Sequence, residues 1–290
     1  MSLIRTATEL NDWLISHGRK NRSLGLVPTM GYLHDGHLSL IEKARAENDL
    51  VVVSIFVNPL QFGPNEDYEK YPRDINRDYK LAREDGADVV FNPEASEIYL
   101  PGSSTEVEVK GDLTKKLCGA SRPIHFKGVT TVVTILFNMI QPDRAYFGQK
   151  DAQQAIIIKK MVRDLHIPVE INVCPIVREK DGLAMSSRNV YLTPPEHQQA
   201  LSLSSGLQKA RAYLSSGADD CARVDKLISV IRREIEMEPL AKVEYIEILD
   251  VDTLENIDYI EPRRKALAAV AVRFGRTRLI DNVILSRTAV

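Results

Sequence analysis

From Val51 to Val57 the chain reads VVVSIFV, with Ser54 as its one polar side chain. A strand turns successive side chains to opposite faces, so a strand with one wet face alternates apolar and polar residues. This run does not alternate. It reads as a central strand covered by helices on both faces, the arrangement of a parallel α/β sheet.

The neighbouring sequence keeps the rhythm such a sheet requires. LGLVPT precedes an amphipathic stretch at 37–47, and LVVVSIFVNP precedes another at 74–85. ADVVFNP follows, then RAYFGQ before 151–165, then PVEINVCPIV. Strands alternating with helices predict a parallel sheet, with ligands gathered at the carboxyl ends of the strands. Farther on, Thr193 opens TPPEHQQALSLSSGLQKARAYL as a helix cap, with proline in the first turn and Glu196 completing a capping box. That start places a boundary near 180 and predicts a domain over 1–180 and a smaller α+β domain over 181–290. The second domain holds a helical stretch near 219–237 and two alternating runs, KVEYIEILDV and KALAAVAVRF, expected as antiparallel strands. The basic residues at 263–265 and Arg273, Arg276 and Arg278 read as a solvated face. No internal repeat is present.

Composition narrows the partners. A chain of 290 residues exceeds one typical compact domain. Hydrophobic residues at 44%, charged residues at 27% and a net charge of -2 describe an ordinary globular protein, with no electrostatic reason to expect nucleic acid. Cys118, Cys174 and Cys221 are odd in number and far apart, which suits buried thiols in a reducing compartment. The N-terminus lacks the apolar core of a signal peptide, and no run approaches about 20 uninterrupted apolar residues. A soluble, cytoplasmic protein without membrane partners is expected.

Four segments at expected strand ends carry chemistry. In VPTMGYLHDGHLSLI, a helix beginning near Gly36 would place His34 and His37 in its first turn, where free N–H groups and the dipole attract an anion such as phosphate. Gly31 and Gly36 would let backbone approach the ligand. Two other readings stay open there: a hydrogen-bonded histidine pair at a turn, and a metal pair, which would need ligands the region does not offer. In YFGQKDAQQ, Lys150 and Asp151 open a helix beside Gly148, with Gln154 one turn further on. This is a second anion site or a salt-bridged helix cap. GLAMSSRNVYL supplies Ser186, Ser187 and Arg188, a triphosphate clamp or a polar turn. Asn58 and Gln61, in SIFVNPLQFGPNEDYEKYPRD, offer amides suited to the hydroxyls and carboxylate of a small polar substrate.

Taken together, PTMGYLHDGHLSLI, SIFVNPLQFGPNEDYEKYPR, YFGQKDAQQ and MSSRN resemble the signature segments of the pantothenate synthetase (pantoate–beta-alanine ligase) family. That family belongs to the cytidylyltransferase-like nucleotidyltransferases, whose HxGH signature is matched by His34, Gly36 and His37. The resemblance implies a Rossmann-like nucleotide- and pantoate-binding domain, with the C-terminal domain covering the active site. It also implies ATP-dependent condensation of (R)-pantoate with beta-alanine through a pantoyl-adenylate, with release of AMP and pyrophosphate. His34, His37 and Lys150 would be catalytic. ATP would contact Met30, Gly31, Tyr32, Leu33, His34, Asp35, Gly36, His37, Gly148, Gln149, Lys150, Asp151, Val177, Met185, Ser186, Ser187 and Arg188. Gln61, Gln154 and Asn58 would hold pantoate. Magnesium would accompany ATP without assigned protein ligands, and a homodimer is implied. The Met185–Arg188 segment lacks the lysines of the synthetase KMSKS loop but has the form found in pantothenate synthetases. Competing readings are an adenylyltransferase that releases its nucleotidyl product and a non-catalytic tRNA-binding module.

Overall fold

Six strands, β1 (Ser2–Ile4), β2 (Leu24–Thr29), β3 (Leu50–Ile55), β4 (Val89–Phe91), β5 (Arg144–Gly148) and β6 (Glu170–Cys174), build one sheet in the order β1-β4-β3-β2-β5-β6. Every pairing in it is parallel. This computed structural model describes residues 1–64, 66–217 and 222–287. The chain divides into one unit of 1–114 with 122–175 and a second of 115–121 with 176–290. The second unit thus begins at Ile176 and takes in a seven-residue excursion that had no signal in the sequence.

In the first unit all six residues of β3 are buried, as the unbroken apolar run predicted. Helices α1 (Ala7–Ser16), α2 (Asp35–Glu47), α3 (Ile75–Glu84) and the short α4 (Ala95–Ile98) follow β1 to β4. Val51, Val53 and Ile55 pack with Leu40, Ile41 and Ala44 of α2 and Ala82 of α3. Each fully buried aliphatic side chain contributes roughly 1.5–3 kcal/mol to holding this strand in place.

The strand order reverses at β2. The chain runs from β2 to β3 on one side, whereas β5 and β6 lie on the other. At such a switch point adjacent connections leave on opposite faces and a crevice opens. The β2–β5 ladder pairs only Gly25 with Arg144 and Leu26 with Ala145, whereas β2–β3 continues to Thr29 with Ile55. Pro28 accounts for the early end. Leu24 C=O bonds toward β5 and Thr29 C=O toward β3, so the even-numbered residues face β5. Pro28 has no N–H to extend the ladder on that side.

After α5 (Leu117–Ser121), the sixteen-residue α6 (His125–Ile140) leads into β5, and α7 (Ala152–Asp164) joins β5 to β6. The sequence reading missed both β1 and α6. Three residues are too few to show a period, and α6 buries eleven of its positions, so it shows no polar stripe. Its run of β-branched Val and Thr also argues against a helix by local propensity alone.

In the second unit, β7 (Ala241–Asp250), β8 (Lys265–Phe274) and β9 (Thr277–Ser286) form an antiparallel sheet. Helices α8 (Pro194–Ser215) and α9 (Val224–Glu236) pack Leu203, Leu207, Leu227 and Ile231 against Val270, Val272 and Phe274. Thr193 and Glu196 form the expected capping box. Helix α9 is described from Val224, and Cys221 and positions 218–220 lie outside the described residues. Cys118 and Cys174 are buried thiols.

One arginine departs from the expected solvated face. Residues 263–265, Arg273 and Arg276 are exposed, but the Arg278 side chain is only 17% exposed. Its Nε bonds Glu244 at 2.7 Å and its guanidinium lies 5.9 Å from the Tyr245 ring centroid. Local charge clustering could not show that this side chain of β9 reaches Glu244 and Tyr245 of β7 across the intervening β8. No helix among the described residues is long and apolar enough to cross a membrane.

Candidate active site

Loops at the carboxyl ends of β2, β3 and β5 bring the sequence-identified residues of the first unit around the switch point. Met30 to His34 follows β2 and leads into α2, with His34 as N-cap. Gly31 adopts a φ of +84°, and a Cβ there would approach Ile55 Cγ2 at 2.8 Å and Asp78 Oδ2 at 3.0 Å. Tyr32 is also left-handed, at φ 50°. Two consecutive residues in this region need an external hold, because a side-chain-bearing residue is strained there. Asp78 of α3 supplies it: its carboxylate accepts the N–H of Tyr32 at 2.6 Å and of Leu33 at 2.8 Å. Asp78 is 1% exposed, and burial raises its pKa despite these two donors. The Leu33 side chain is wholly within the core, so it offers no surface to a ligand.

The two histidines use one nitrogen each to build the helix start. His34 Nδ1 accepts the Gly36 N–H at 3.2 Å, and His37 Nδ1 accepts the His34 N–H at 3.4 Å. A ring nitrogen that accepts carries no proton, so each neutral imidazole keeps its hydrogen on Nε2. Burial first, and then the Lys150 ammonium, lower the His34 pKa to about 4. His37 is lowered by burial, then by His34 and Lys150. The pair therefore supplies two neutral N–H donors next to a helix N-terminus and an ammonium. Such a set binds anionic oxygens. Committing both Nδ1 atoms to backbone donors speaks against the metal reading, since the remaining Nε2 of each ring then carries the proton and has no lone pair for a metal, and no third ligand joins them among the described residues.

At the end of β5, Gln149, Lys150 and Asp151 form a 3-10 turn that runs into α7. Asp151 is the N-cap by position, but its side chain does not cap, so the salt-bridged-cap reading lacks its main contact. Gly148 has an ordinary φ of -79°, and an added Cβ would meet nothing within 4 Å. Neither backbone conformation nor packing within the protein requires glycine there. The space beside this strand end, next to an ammonium and helical N–H groups, is open. Gln154, half-buried on α7, lies one turn beyond.

The loop after β3 holds the two amides. Asn58 is 1% exposed and has both ends engaged. Its Oδ1 accepts Leu60 N–H at 3.2 Å and the Tyr99 hydroxyl at 2.7 Å. Its Nδ2 donates to Gly128 C=O at 3.0 Å and to Gln61 Oε1 at 3.2 Å. The polar atoms of Asn58, a residue expected to hold substrate, are engaged within the protein, one of them with Gln61. Among the described residues, the Gln61 Nε2 meets the Met30 sulfur, a weak acceptor, at 2.9 Å. Behind the loop, Gly128 of α6 comes so close that a Cβ would lie 2.4 Å from Leu60 O. His125 Nδ1 bonds Gln61 O at 2.9 Å, and Arg122 bonds Glu66 through Nε at 2.8 Å and Nη2 at 2.5 Å.

Asp78, Tyr99, Arg122, His125 and Gly128 were not singled out from the sequence. Asp78 had a legible signal, a carboxylate sharing a helix face with Ile75 and Ala82 at i-3 and i+4. The others had none that local pattern could carry.

Val177 and Met185–Arg188 belong to the second unit. Met185 N–H bonds Val177 O at 3.1 Å, and Arg178 grips Asp281 through two bonds of 2.7 and 3.1 Å. Ser186 Oγ accepts the Arg188 N–H at 3.2 Å, and Asn189 Nδ2 donates to Glu179 and to Ala184 O. Ser187 is buried, and Met185, Ser186 and Arg188 are half-buried. The segment is thus a shaped turn with its base tied into its own unit.

Comparison with known proteins agrees with this geometry. The profile of the pantoate-beta-alanine ligase family matches residues 2–284. Pantothenate synthetase of Acetivibrio thermocellus is 55% identical over 285 residues, covering 98% of this chain and 99% of that protein. The Thermotoga neapolitana enzyme is 54% identical, covering 98% and 100%. The crystal structure of pantothenate synthetase from Thermus thermophilus matches with a TM-score of 0.92 at 44% identity, covering 99% of this chain and 100% of that one. Pantoate-beta-alanine ligase from Francisella tularensis, solved in complex with beta-gamma ATP and beta-alanine, matches with a TM-score of 0.78 at 35% identity, covering 98% and 97%.

Proposed function

Because this chain belongs to the pantoate-beta-alanine ligase family and forms pantothenate, we propose that it joins (R)-pantoate to beta-alanine at the expense of ATP, through a pantoyl-adenylate. A pantoate carboxylate oxygen attacks the α-phosphorus and pyrophosphate leaves. The beta-alanine amine then attacks the acyl carbon, the acyl carbon–oxygen bond breaks, AMP leaves and the amine gives up a proton.

The observation that carries this reading is the donor set at the β2–β5 switch point. In the first step negative charge grows on the phosphoryl oxygens, so catalysis needs fixed cations and N–H groups. The Nε2–H groups of His34 and His37, the N-terminus of α2 and the Lys150 ammonium suit that role, and neutral imidazoles donate without a proton changing hands. Gly148 leaves room for the nucleotide. Gln61 and Gln154 are assigned to pantoate, with Asn58 acting through Gln61. The ATP roles of Val177 and Met185–Arg188 rest on the resemblance of that segment to the family.

Magnesium fits as a companion of the triphosphate. The donors above bind oxygen and not a cation, but the carboxylates of Asp35 and Asp151 both act electrostatically on His34 and are exposed. They are hard oxygen ligands of the kind magnesium accepts alongside phosphates and water, and would hold it. When bound, it neutralises charge on the phosphates. From the family resemblance alone we assign a homodimer, and the odd number of scattered cysteines suits a cytoplasmic location.

An isotope experiment tests the route. With pantoate labelled by ¹⁸O in its carboxylate, one label should appear in the phosphate of AMP, because the attacking oxygen stays on phosphorus when the acyl carbon–oxygen bond breaks. Unlabelled AMP, or ADP as the product, would overturn the adenylate.

A further inference from the structure

We infer that Tyr99 is a positioning residue for the acid substrate, acting through Asn58 to make Gln61 present its amino group rather than its carbonyl oxygen. The inference deepens the proposed function and rests on the assignment of Gln61 to pantoate.

The orientation of each amide follows from its neighbours. Leu60 N–H can only donate and Gly128 C=O can only accept, so Asn58 must turn Oδ1 toward the first and Nδ2 toward the second. Reversing it would set donor against donor and oxygen against oxygen in a buried place. With Nδ2 so directed, Gln61 has to offer Oε1 to it, at 3.2 Å. Gln61 Nε2 then lies on the free side, next to the Met30 sulfur. A substrate reaching this amide meets N–H donors, which suit a carboxylate or hydroxyl oxygen.

Tyr99 strengthens the first link of this chain. Leu60 reaches Asn58 Oδ1 at 3.2 Å, the Tyr99 hydroxyl at 2.7 Å. Without that hydroxyl, one side of a buried carbonyl oxygen has no donor, and the longer bond alone holds it. The Tyr99 ring lies 6.3 Å from that of Phe56, centroid to centroid, so the side chain braces the β3 loop by packing as well. Tyr99 directly follows α4, on the connection after β4. The hold on Gln61 therefore comes from the neighbouring strand's loop on one side and from α6 on the other. Tyr99 need not touch substrate to act.

Tyr99→Phe removes the hydroxyl and keeps the ring. Steady-state kinetics with each substrate varied in turn should show the pantoate KM raised about 3- to 10-fold, the size expected for weakening one uncharged hydrogen bond, with the ATP KM within about twofold of wild type by the same reasoning. In a Gln61→Ala background the same substitution should add nothing to the pantoate KM, because the group it positions is gone. A structural role would add its effect in either background. An unchanged pantoate KM in Tyr99→Phe, an equal rise in both KM values, or additivity with Gln61→Ala each overturns the inference. Gln61→Ala alone separates the two levels: an unchanged pantoate KM in that variant overturns the pantoate assignment and the inference with it. A raised KM there beside a silent Tyr99→Phe overturns the inference only.

Discussion

The imidazoles of His34 and His37 lie 4.1 Å apart between ring centroids, tilted by 33°, and each gives its Nδ1 to a backbone N–H of the same helix start. The two rings thus build the helix terminus and leave their Nε2–H groups for the ligand. Neither is arranged as a proton shuttle.

His37→Ala should slow adenylate formation by about 10²–10³, the usual cost of removing one donor aimed at transition-state charge. The fold should persist. Pyrophosphate exchange into ATP, with pantoate present and beta-alanine absent, isolates the step. Exchange at the wild-type rate would remove His37 from the chemistry.

Acid pH gives a second check. His34 and His125 are lowered to about 4 by burial, and His37 is lowered too. Their unfolded values lie near 6.5, so the unfolded chain takes up these protons first. Stability should be full above about pH 6.5 and fall as pH drops toward about 4. The profile of kcat/KM for ATP, which reports the free enzyme, should show no inflection near 6.5 from His34 or His37. An acid limb centred there, absent in His34→Gln, would show an ordinary imidazole in place of the buried neutral one.

Asp78→Asn should disturb the loop after β2 while leaving the shape of α3 unchanged. An amide has one acceptor for the N–H groups of Tyr32 and Leu33, and its own NH₂ would face the other. One unmet buried donor costs about 1–3 kcal/mol. Urea denaturation should register that loss, and ATP titration should show weakened binding. Wild-type values in both would mean that the left-handed turn at Gly31 and Tyr32 holds itself.

Two glycines should respond in opposite ways. Gly148→Ala adds a methyl where the protein has open space and φ is ordinary, so the melting temperature should stay unchanged while the ATP KM rises. Gly128→Ala drives a Cβ to 2.4 Å from Leu60 O, so stability should fall together with pantoate binding. Thermal melts and separate substrate titrations distinguish the cases. A stable, fully active Gly148→Ala would mean that no ligand uses that space.

Local pattern along the chain was enough to find the parallel sheet, the buried central strand, the strand ends that carry HDGH, NPLQ and GQKD, and the MSSRN loop. Those features are local: a side-chain period, a cap, a turn residue or a short motif can be read within a dozen positions. His34, His37, Gln61, Gly148 and Lys150 were legible for that reason. How they are held depends on residues far away along the chain. Asp78 lies 46 residues from Tyr32, Gly128 lies 70 from Asn58, and Tyr99 lies 41 from Asn58. These residues meet because the strand order brings β2, β3, β4 and β5 side by side and α6 packs behind the β3 loop, an outcome of burial summed over the whole sheet. Whether Asn58 faces substrate or Gln61 turns on a backbone N–H and a carbonyl whose directions exist only once the chain has folded.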